Sequence, residues 1–195
     1  MMDSHLRDAR VIMEATPPLR KHEDKAFAIL EHCLRAYTRF DALSVPDIQD
    51  DGEFNRSVQR VGNLEFARWL QSQADKPLSL YRVSVATERA PFLAWLGDAE
   101  AMGVHDVVLV GGDASHKVYG PDALDVASAA EIARGRGFHC GGIIIPTRRR
   151  EFVPRPASHD ELARLQQKID ASRLSFYTTQ LLYEGEWMSC LLLDL

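Results

Sequence analysis

The sequence has 195 residues, of which 46% are hydrophobic and 26% charged, and its formal net charge is −5. These values are typical of a single soluble domain over 1–195, and they exclude disordered and fibrous proteins. The acidic balance argues against a nucleic-acid partner, since proteins that bind duplex phosphates carry a basic excess. Three cysteines without a CxxC pair favour a reducing compartment, and the sequence has no apolar run long enough for a membrane span. We therefore expect a cytoplasmic protein.

Six short apolar runs predict β-strands, and the segments between them have helical patterns. The strands are expected over 10–15, 41–47, 78–86, 106–112, 140–146 and 174–180. The helices are expected over 23–37, 55–73, 89–102, 122–136 and 159–172. Strand starts recur at roughly the length of one βα unit, about 30 residues. The sequence therefore predicts an α/β fold with a parallel sheet of about six βα units, which fits either a barrel or an open doubly wound sheet.

Polar residues follow four of the predicted strands, where β/α folds carry their functional sites. These residues are Glu14, Asp47, Asp113 and Gln180. Glu14 is flanked by apolar residues, a setting in which a carboxyl group can serve as a general acid. Each residue also has a structural alternative. Glu14 could pair with a residue at the barrel floor, Asp47 could belong to a solvated acidic loop, and Gln180 could fill a polar interior layer.

The fourth predicted strand ends in two glycines and an aspartate, Gly111, Gly112 and Asp113. The glycines would let a ligand approach the backbone, and the carboxylate could then meet a positive charge that develops on the ligand. The alternative is that Asp113 caps the next turn and the glycines permit its backbone angles. After the fifth strand, Arg148 and Arg149 could bind an anionic tail or phosphate, or lie in a solvated loop.

Several well-known site motifs are missing from the sequence. It contains no G-x-G-x-x-G or P-loop pattern for nucleotides and no G-x-S-x-G nucleophile turn. It also lacks an H-E-x-x-H motif and any Cys/His spacing suited to zinc, so no metal site is predicted.

Five segments occur in an order and spacing that resemble the methylenetetrahydrofolate reductase family. They are "MEATPP", "VLVGGD", "IIIPTRRRE", "ELARLQQKIDA" and "FYTTQLLYE", and they extend over nearly the whole chain. The resemblance implies an eight-stranded, TIM-type β/α barrel that is incomplete in this chain, with about six of the eight βα units. It also implies reduction of 5,10-methylenetetrahydrofolate to 5-methyltetrahydrofolate, with electrons passing from NAD(P)H through FAD.

The resemblance also implies roles for individual residues. Glu14 matches the acid that protonates the folate ring nitrogen, and Asp113 matches the carboxylate that stabilises the iminium cation. Gln180 matches an amide that binds the pterin, and Asp47 joins it as a candidate substrate contact because it follows the second strand. The candidate cofactor-binding residues are Gly111, Gly112, Glu161, Arg164, Lys168, Arg148 and Arg149.

Two other functions stay open at this point. One is a catalytically inactive, truncated homologue that binds folate or completes its barrel with another chain. The other is an unrelated barrel enzyme that uses Glu14 and Asp113 for aldol or lyase chemistry. Because the first and last predicted strands would each lack a neighbour, a homo-oligomer or a completing chain is the expected protein partner.

Overall fold

Strands and helices alternate along the chain in the computed structural model, which describes residues 11–48, 59–84, 87–111, 122–145, 165–166, 169 and 173–179. The strands are β1 (Ile12–Glu14), β2 (Ala42–Val45), β3 (Leu78–Val83), β4 (Asp106–Val110), β5 (His139–Ile144) and β6 (Phe176–Thr179). The helices are α1 (Glu23–Ala36), α2 (Asn63–Gln73), α3 (Arg89–Ala101) and α4 (Val126–Gly135), and a 3₁₀ turn over Arg20–His22 precedes α1. The six predicted strands and the first four predicted helices are therefore present. The helix expected over 159–172 lies mostly outside the described residues.

The strands form one sheet in the order β1-β2-β3-β4-β5-β6. β1 pairs with β2, β2 pairs with β3, and β5 pairs with β6, and all three pairings are parallel. Parallel neighbours need a crossover connection, which α1 provides between β1 and β2 and α2 provides between β2 and β3. The predicted parallel α/β architecture is confirmed.

The chain divides into two compact units, one formed by Met1–Arg82 and Leu93–Val107 and the other by Val83–Phe92 and Val108–Leu195. In the first unit the largest fully buried side chains are Leu43, Val45, Val61, Phe66, Leu70, Leu80, Leu96 and Val104. In the second unit the buried residues include Phe92, Leu109, Ala129, Ala130, Ala133 and Cys140. The expectation of a single domain over 1–195 remains a prediction.

The helix-to-strand turns after α3 and α4 share one cap geometry. Gly103 and Gly137 have φ values of +70° and +88°, which glycine adopts without a Cβ clash. The next residues, Val104 and Phe138, donate backbone hydrogen bonds to residues five positions earlier, at 3.0 and 3.1 Å. This is the Schellman pattern, in which an apolar residue follows the glycine and packs inward. Both apolar residues are buried, so each glycine ends its helix and directs the chain into the next strand.

Helix α2 begins later than the sequence predicts. A helix over 55–73 was expected, but residues 59–62 are extended and α2 starts at Asn63. Arg60 forms an antiparallel bridge with Leu19, which holds this segment against the chain that follows β1. The helical pattern was misleading here because a long-range backbone pairing competes with the local preference. Within the described residues, no helix is long and apolar enough to cross a membrane.

Candidate functional site

A polar cleft of about 400 Å³ lies in the first unit, at the carboxyl ends of β1 and β2. Its volume falls in the range of small-molecule sites, about 300–1,000 Å³. The lining residues are Pro17, Arg20, Pro46, Asp47, Ile48, Gln59, Arg60, Val61, Gly62 and Asn63. The cleft thus combines a carboxylate, two guanidinium groups and two amides with a few apolar side chains.

Strand register explains how a carboxylate and a guanidinium meet beside this cleft. Val45 in β2 is the register partner of Leu80 in β3. Asp47 and Arg82 each come two residues later in the chain, so they lie side by side. Arg82 Nη1 lies 3.5 Å from Asp47 Oδ2. The two side chains are only 23% and 19% exposed, so this ion pair is less screened by water than a surface pair.

Arg82 has a second neighbour on the side of α3. Its guanidinium carbon lies 5.7 Å from the ring centre of Trp95, within the range of a cation–π contact. The indole Nε1 of Trp95 donates a hydrogen bond to Asn63 Oδ1 at 3.4 Å. Asn63 Nδ2 in turn donates to the carbonyl oxygen of Tyr81 at 3.0 Å. The first residue of α2 is therefore tied both to α3 and to the strand that carries Arg82.

Backbone pairing builds the other wall of the cleft. Arg20 N donates to Gln59 O at 2.7 Å, and Val61 N donates to Pro18 O at 2.9 Å. The Arg60 side chain adds a hydrogen bond from Nη1 to Pro17 O at 3.0 Å. These contacts fasten the segment after β1 to the segment before α2, so the wall is held by main-chain as well as side-chain bonds.

Arg20 lies at the cleft edge with its charge compensated by two carboxylates. Its guanidinium donates to Glu65 through both terminal nitrogens, and it also contacts Glu23 Oε2 at 3.2 Å. The hydrogen bonds that Arg20 donates to Glu65 raise the pKa of Arg20, and the same contact holds the pKa of Glu65 below its usual range. Since all three side chains are well exposed, we treat this cluster as a clamp between α1 and α2 and not as a strong anion site.

Comparisons with known proteins bear on the fold. No family model matches the chain, and no curated protein matches it. Solved structures of mutant tryptophan synthase alpha-subunits from Pyrococcus furiosus do match. One is 15% identical with a TM-score of 0.53 and covers 95% of this chain and 83% of that chain. Others are 16% identical with TM-scores of 0.52 and 0.51, covering 95% and 93% of this chain and 83% and 82% of theirs.

The fold is an incomplete TIM-type α/β barrel. At such low identity the match shows the fold alone, and the sequential order of the six strands in one sheet agrees with it. The cleft lies at the carboxyl ends of the strands, the end of a TIM-type barrel at which active sites are found.

The resemblance to methylenetetrahydrofolate reductases is wrong. The structural neighbours are tryptophan synthase alpha-subunits and no family model supports the folate family, so the folate-reducing oxidoreductase activity inferred from it is also wrong. The five matched segments are short, and similar short patterns arise in β/α barrels of different function because the fold is shared. The FAD and NAD(P)H expectations came only from that resemblance and stay predictions.

Among the predicted site residues, the structure brings Asp47 into the cleft. Glu14 lies at the end of β1, opposite Ser44 in the register, but its side chain is exposed and it is not part of the cleft lining. The apolar surroundings expected for Glu14 are therefore not seen. Gly111 follows β4, and a Cβ at this position would lie 3.4 Å from Val126 Cγ2. This distance is at the limit of ordinary van der Waals contact, so packing against α4 does not by itself require a glycine here.

The remaining predicted site residues lie outside the described residues. They are Gly112, Asp113, Arg148, Arg149, Glu161, Arg164, Lys168 and Gln180. Their assigned roles stay predictions.

Sequence reasoning missed three residues at or beside the cleft, Arg82, Asn63 and Trp95. A signal was present for Arg82, because an arginine inside the apolar strand "LSLYRV" needs a partner for its charge. No local signal marks Asn63 or Trp95, because their contacts join α2, α3 and β3 across the unit.

Cys140 offers a reactive group elsewhere but is not suited to catalysis. Burial raises the pKa of its thiol to about 11, and its Sγ lies 3.8 Å from two backbone carbonyl oxygens. At neutral pH it is a protonated, enclosed thiol, which is a poor nucleophile. Across the described ranges, no group of three or more His, Cys, Asp or Glu side chains could hold a metal ion.

Proposed function

We propose that the chain is a small-molecule enzyme that binds a polar metabolite in the cleft at the carboxyl ends of β1 and β2. The observation that carries this proposal is the part-buried Asp47–Arg82 ion pair, whose carboxylate forms part of the cleft lining. A charged pair withdrawn from water costs desolvation energy, so a buried ion pair is weak evidence for a purely stabilising role.

The residues divide into groups with different roles in this proposal. Asp47 contacts hydroxyl or amino groups of the substrate, as an acceptor or as the group that takes up a proton. Arg82 holds the carboxylate in place from behind. The amides of Gln59 and Asn63 fix the orientation of the substrate, and Ile48 contributes apolar contact. This mixture is the usual composition of a small-molecule site.

The charges of the cleft favour a small substrate over a polyanion. Arg20 is paired with Glu65 and Glu23, and Arg82 is paired with Asp47. A surface for nucleic acid or for a polyphosphate would leave an excess of positive charge. The enzyme class rests on fold analogy as well, since the structural neighbours carry the name tryptophan synthase.

A substitution of Asp47 tests the proposal. Amino acids, hydroxy acids and amino sugars would be screened against the full chain by ligand-observed NMR, which also reports conversion of a bound compound. Asp47→Asn should weaken binding of any hit about tenfold or more, because it removes a hydrogen bond to a charged group. Asp98→Asn is the matched control, since Asp98 pairs with Arg68 at the same 3.5 Å but both side chains are more than half exposed.

Two results would contradict the proposal. One is that none of the polar compounds binds, and the other is that a compound binds and turns over equally well in wild type and Asp47→Asn. A loss of binding in Asp98→Asn as well would point to a general change in the fold and not to the cleft.

Association with another chain is a second candidate function, favoured by apolar exposure at the first strand of the sheet. Val11 and Ile12 are 57% and 52% exposed, and in the described part of the chain β1 pairs with β2 alone. Exposed apolar residues on an outer strand favour pairing with a second copy of the chain. The partner in this proposal is therefore a homo-oligomer.

Light scattering of the purified chain tests the association. We expect a dimer or larger species for wild type and a smaller one for Ile12→Lys, because a charge on the edge strand opposes pairing. Ile29→Lys is the control, since Ile29 is similarly exposed, at 53%, but lies on α1. A wild-type monomer at every concentration would rule out self-association.

A further inference from the structure

We propose that Trp95 is a positioning residue that holds the two sides of the cleft in register. The inference rests on the proposed function for the meaning of the cleft, but its test needs no substrate. Trp95 is 4% exposed and projects from α3, and it contacts one residue that supports the cleft carboxylate and another that lines the cleft.

The ion pair with Asp47 alone does not fix the position of the Arg82 guanidinium group. Its 3.5 Å separation from Asp47 is longer than the ~2.7–2.9 Å of a strong charge-assisted hydrogen bond. Arg82 Nε is buried and has no hydrogen-bond partner in the described part of the chain. The face of the Trp95 ring is therefore a principal support for the guanidinium, and it limits the directions from which Arg82 reaches Asp47.

The same indole ring fixes the start of α2. Trp95 Nε1 donates to Asn63 Oδ1, and Asn63 Nδ2 donates to the carbonyl of Tyr81, the residue before Arg82. The contacts form a closed circuit from Arg82 through Trp95 and Asn63 to the backbone of Tyr81, and Asp47 joins this circuit at Arg82. A change at Asp47 should consequently reach the indole N–H through Arg82.

The circuit gives the cleft a structural basis for ligand specificity. Asp47 and Asn63 both line it, one as an acceptor and the other as an amide at the N-terminus of α2. If a single buried ring sets both positions, their spacing is constant and selects a ligand with polar groups at a matching separation. A flexible pair would accept ligands of several lengths.

The experiment follows the indole N–H signals of the full chain labelled with ¹⁵N-tryptophan, with the Trp95 signal assigned by its loss in Trp95→Phe. We expect Asp47→Asn and Asn63→Ala each to shift the Trp95 signal by more than its linewidth. Asn63→Asp keeps an oxygen acceptor for the indole and should shift it less than Asn63→Ala. Asp98→Asn is the control on the same helix and should leave the signal in place.

The outcomes separate a positioning role from simple packing. A Trp95 signal that stays in place in Asp47→Asn, in a variant that keeps the wild-type melting temperature, would overturn the circuit. Equal shifts in Asn63→Asp and Asn63→Ala would overturn the hydrogen bond to Asn63. If the expected shifts occur but no metabolite binds the chain, the circuit stands and the proposed function fails.

Discussion

Replacement of Phe66 by alanine is expected to lower the free energy of unfolding by about 3–5 kcal/mol, because it leaves a cavity in the core of the first unit. Phe66 is fully buried on α2 and stacks on Phe27 and Trp69, with ring centres 6.0 and 5.8 Å away. Phe27 and Trp69 themselves stack at 4.5 Å, so the three rings form one cluster between α1 and α2. Urea unfolding followed by circular dichroism would measure the loss.

The controls for this substitution separate cavity formation from loss of an aromatic ring. Phe66→Leu keeps much of the volume and should cost clearly less than Phe66→Ala. Tyr37→Ala removes an aromatic side chain that is 69% exposed and should change stability by no more than about 0.5 kcal/mol. A Phe66→Ala variant as stable as Tyr37→Ala would show that the ring cluster does not hold α1 and α2 together.

The second large effect is expected at Gly141 in β5. This residue is the register partner of Phe176 in β6, and a Cβ placed on it would lie 2.3 Å from Phe176 Cε2. Gly141→Ala should destabilise the second unit by about 1–3 kcal/mol, as overpacking of a filled site does. Thermal unfolding of the full chain would report the change as a lower melting temperature.

A second substitution shows whether the ring is the cause. Adding Phe176→Ala to Gly141→Ala makes room for the new methyl group, so the double variant should be less destabilised than the sum of the two single variants. Gly135→Ala is the matched control, since a Cβ there meets nothing within 4 Å and alanine is favoured in a helix by up to about 1 kcal/mol. Strictly additive single effects would mean that Gly141 and Phe176 do not compete for space.

The fold could be predicted because each βα unit carries local sequence signals for its own strand and for the end of its own helix. Apolar runs such as "DVVLV" and glycines such as Gly103 and Gly137 mark strands and helix ends with little dependence on distant residues. The prediction failed where distant backbone segments compete, as at Arg60, whose bridge to Leu19 keeps residues 59–62 out of the helix.

The candidate site was only partly predictable, because its contacts depend on register and on packing between elements. Asp47 was found from its place after a strand, the position that parallel folds use for sites. Its partner Arg82 can be identified only when the register of β2 and β3 is known. Trp95 and Asn63 can be identified only when the packing of α3 beside α2 is known. The family-level motifs, in contrast, indicated the barrel correctly and its chemistry incorrectly, because one fold hosts many functions and short motifs can match the fold alone.

The order of the strands in the sheet has a consequence for how the chain is made. Each strand lies beside the one that follows it along the chain, as β1 does beside β2 and β2 beside β3. A ribosome adds about 5–20 residues per second, so the partner of an emerging strand is synthesised within a few seconds. Within the described sheet, each strand can therefore pair with its successor soon after both have been synthesised.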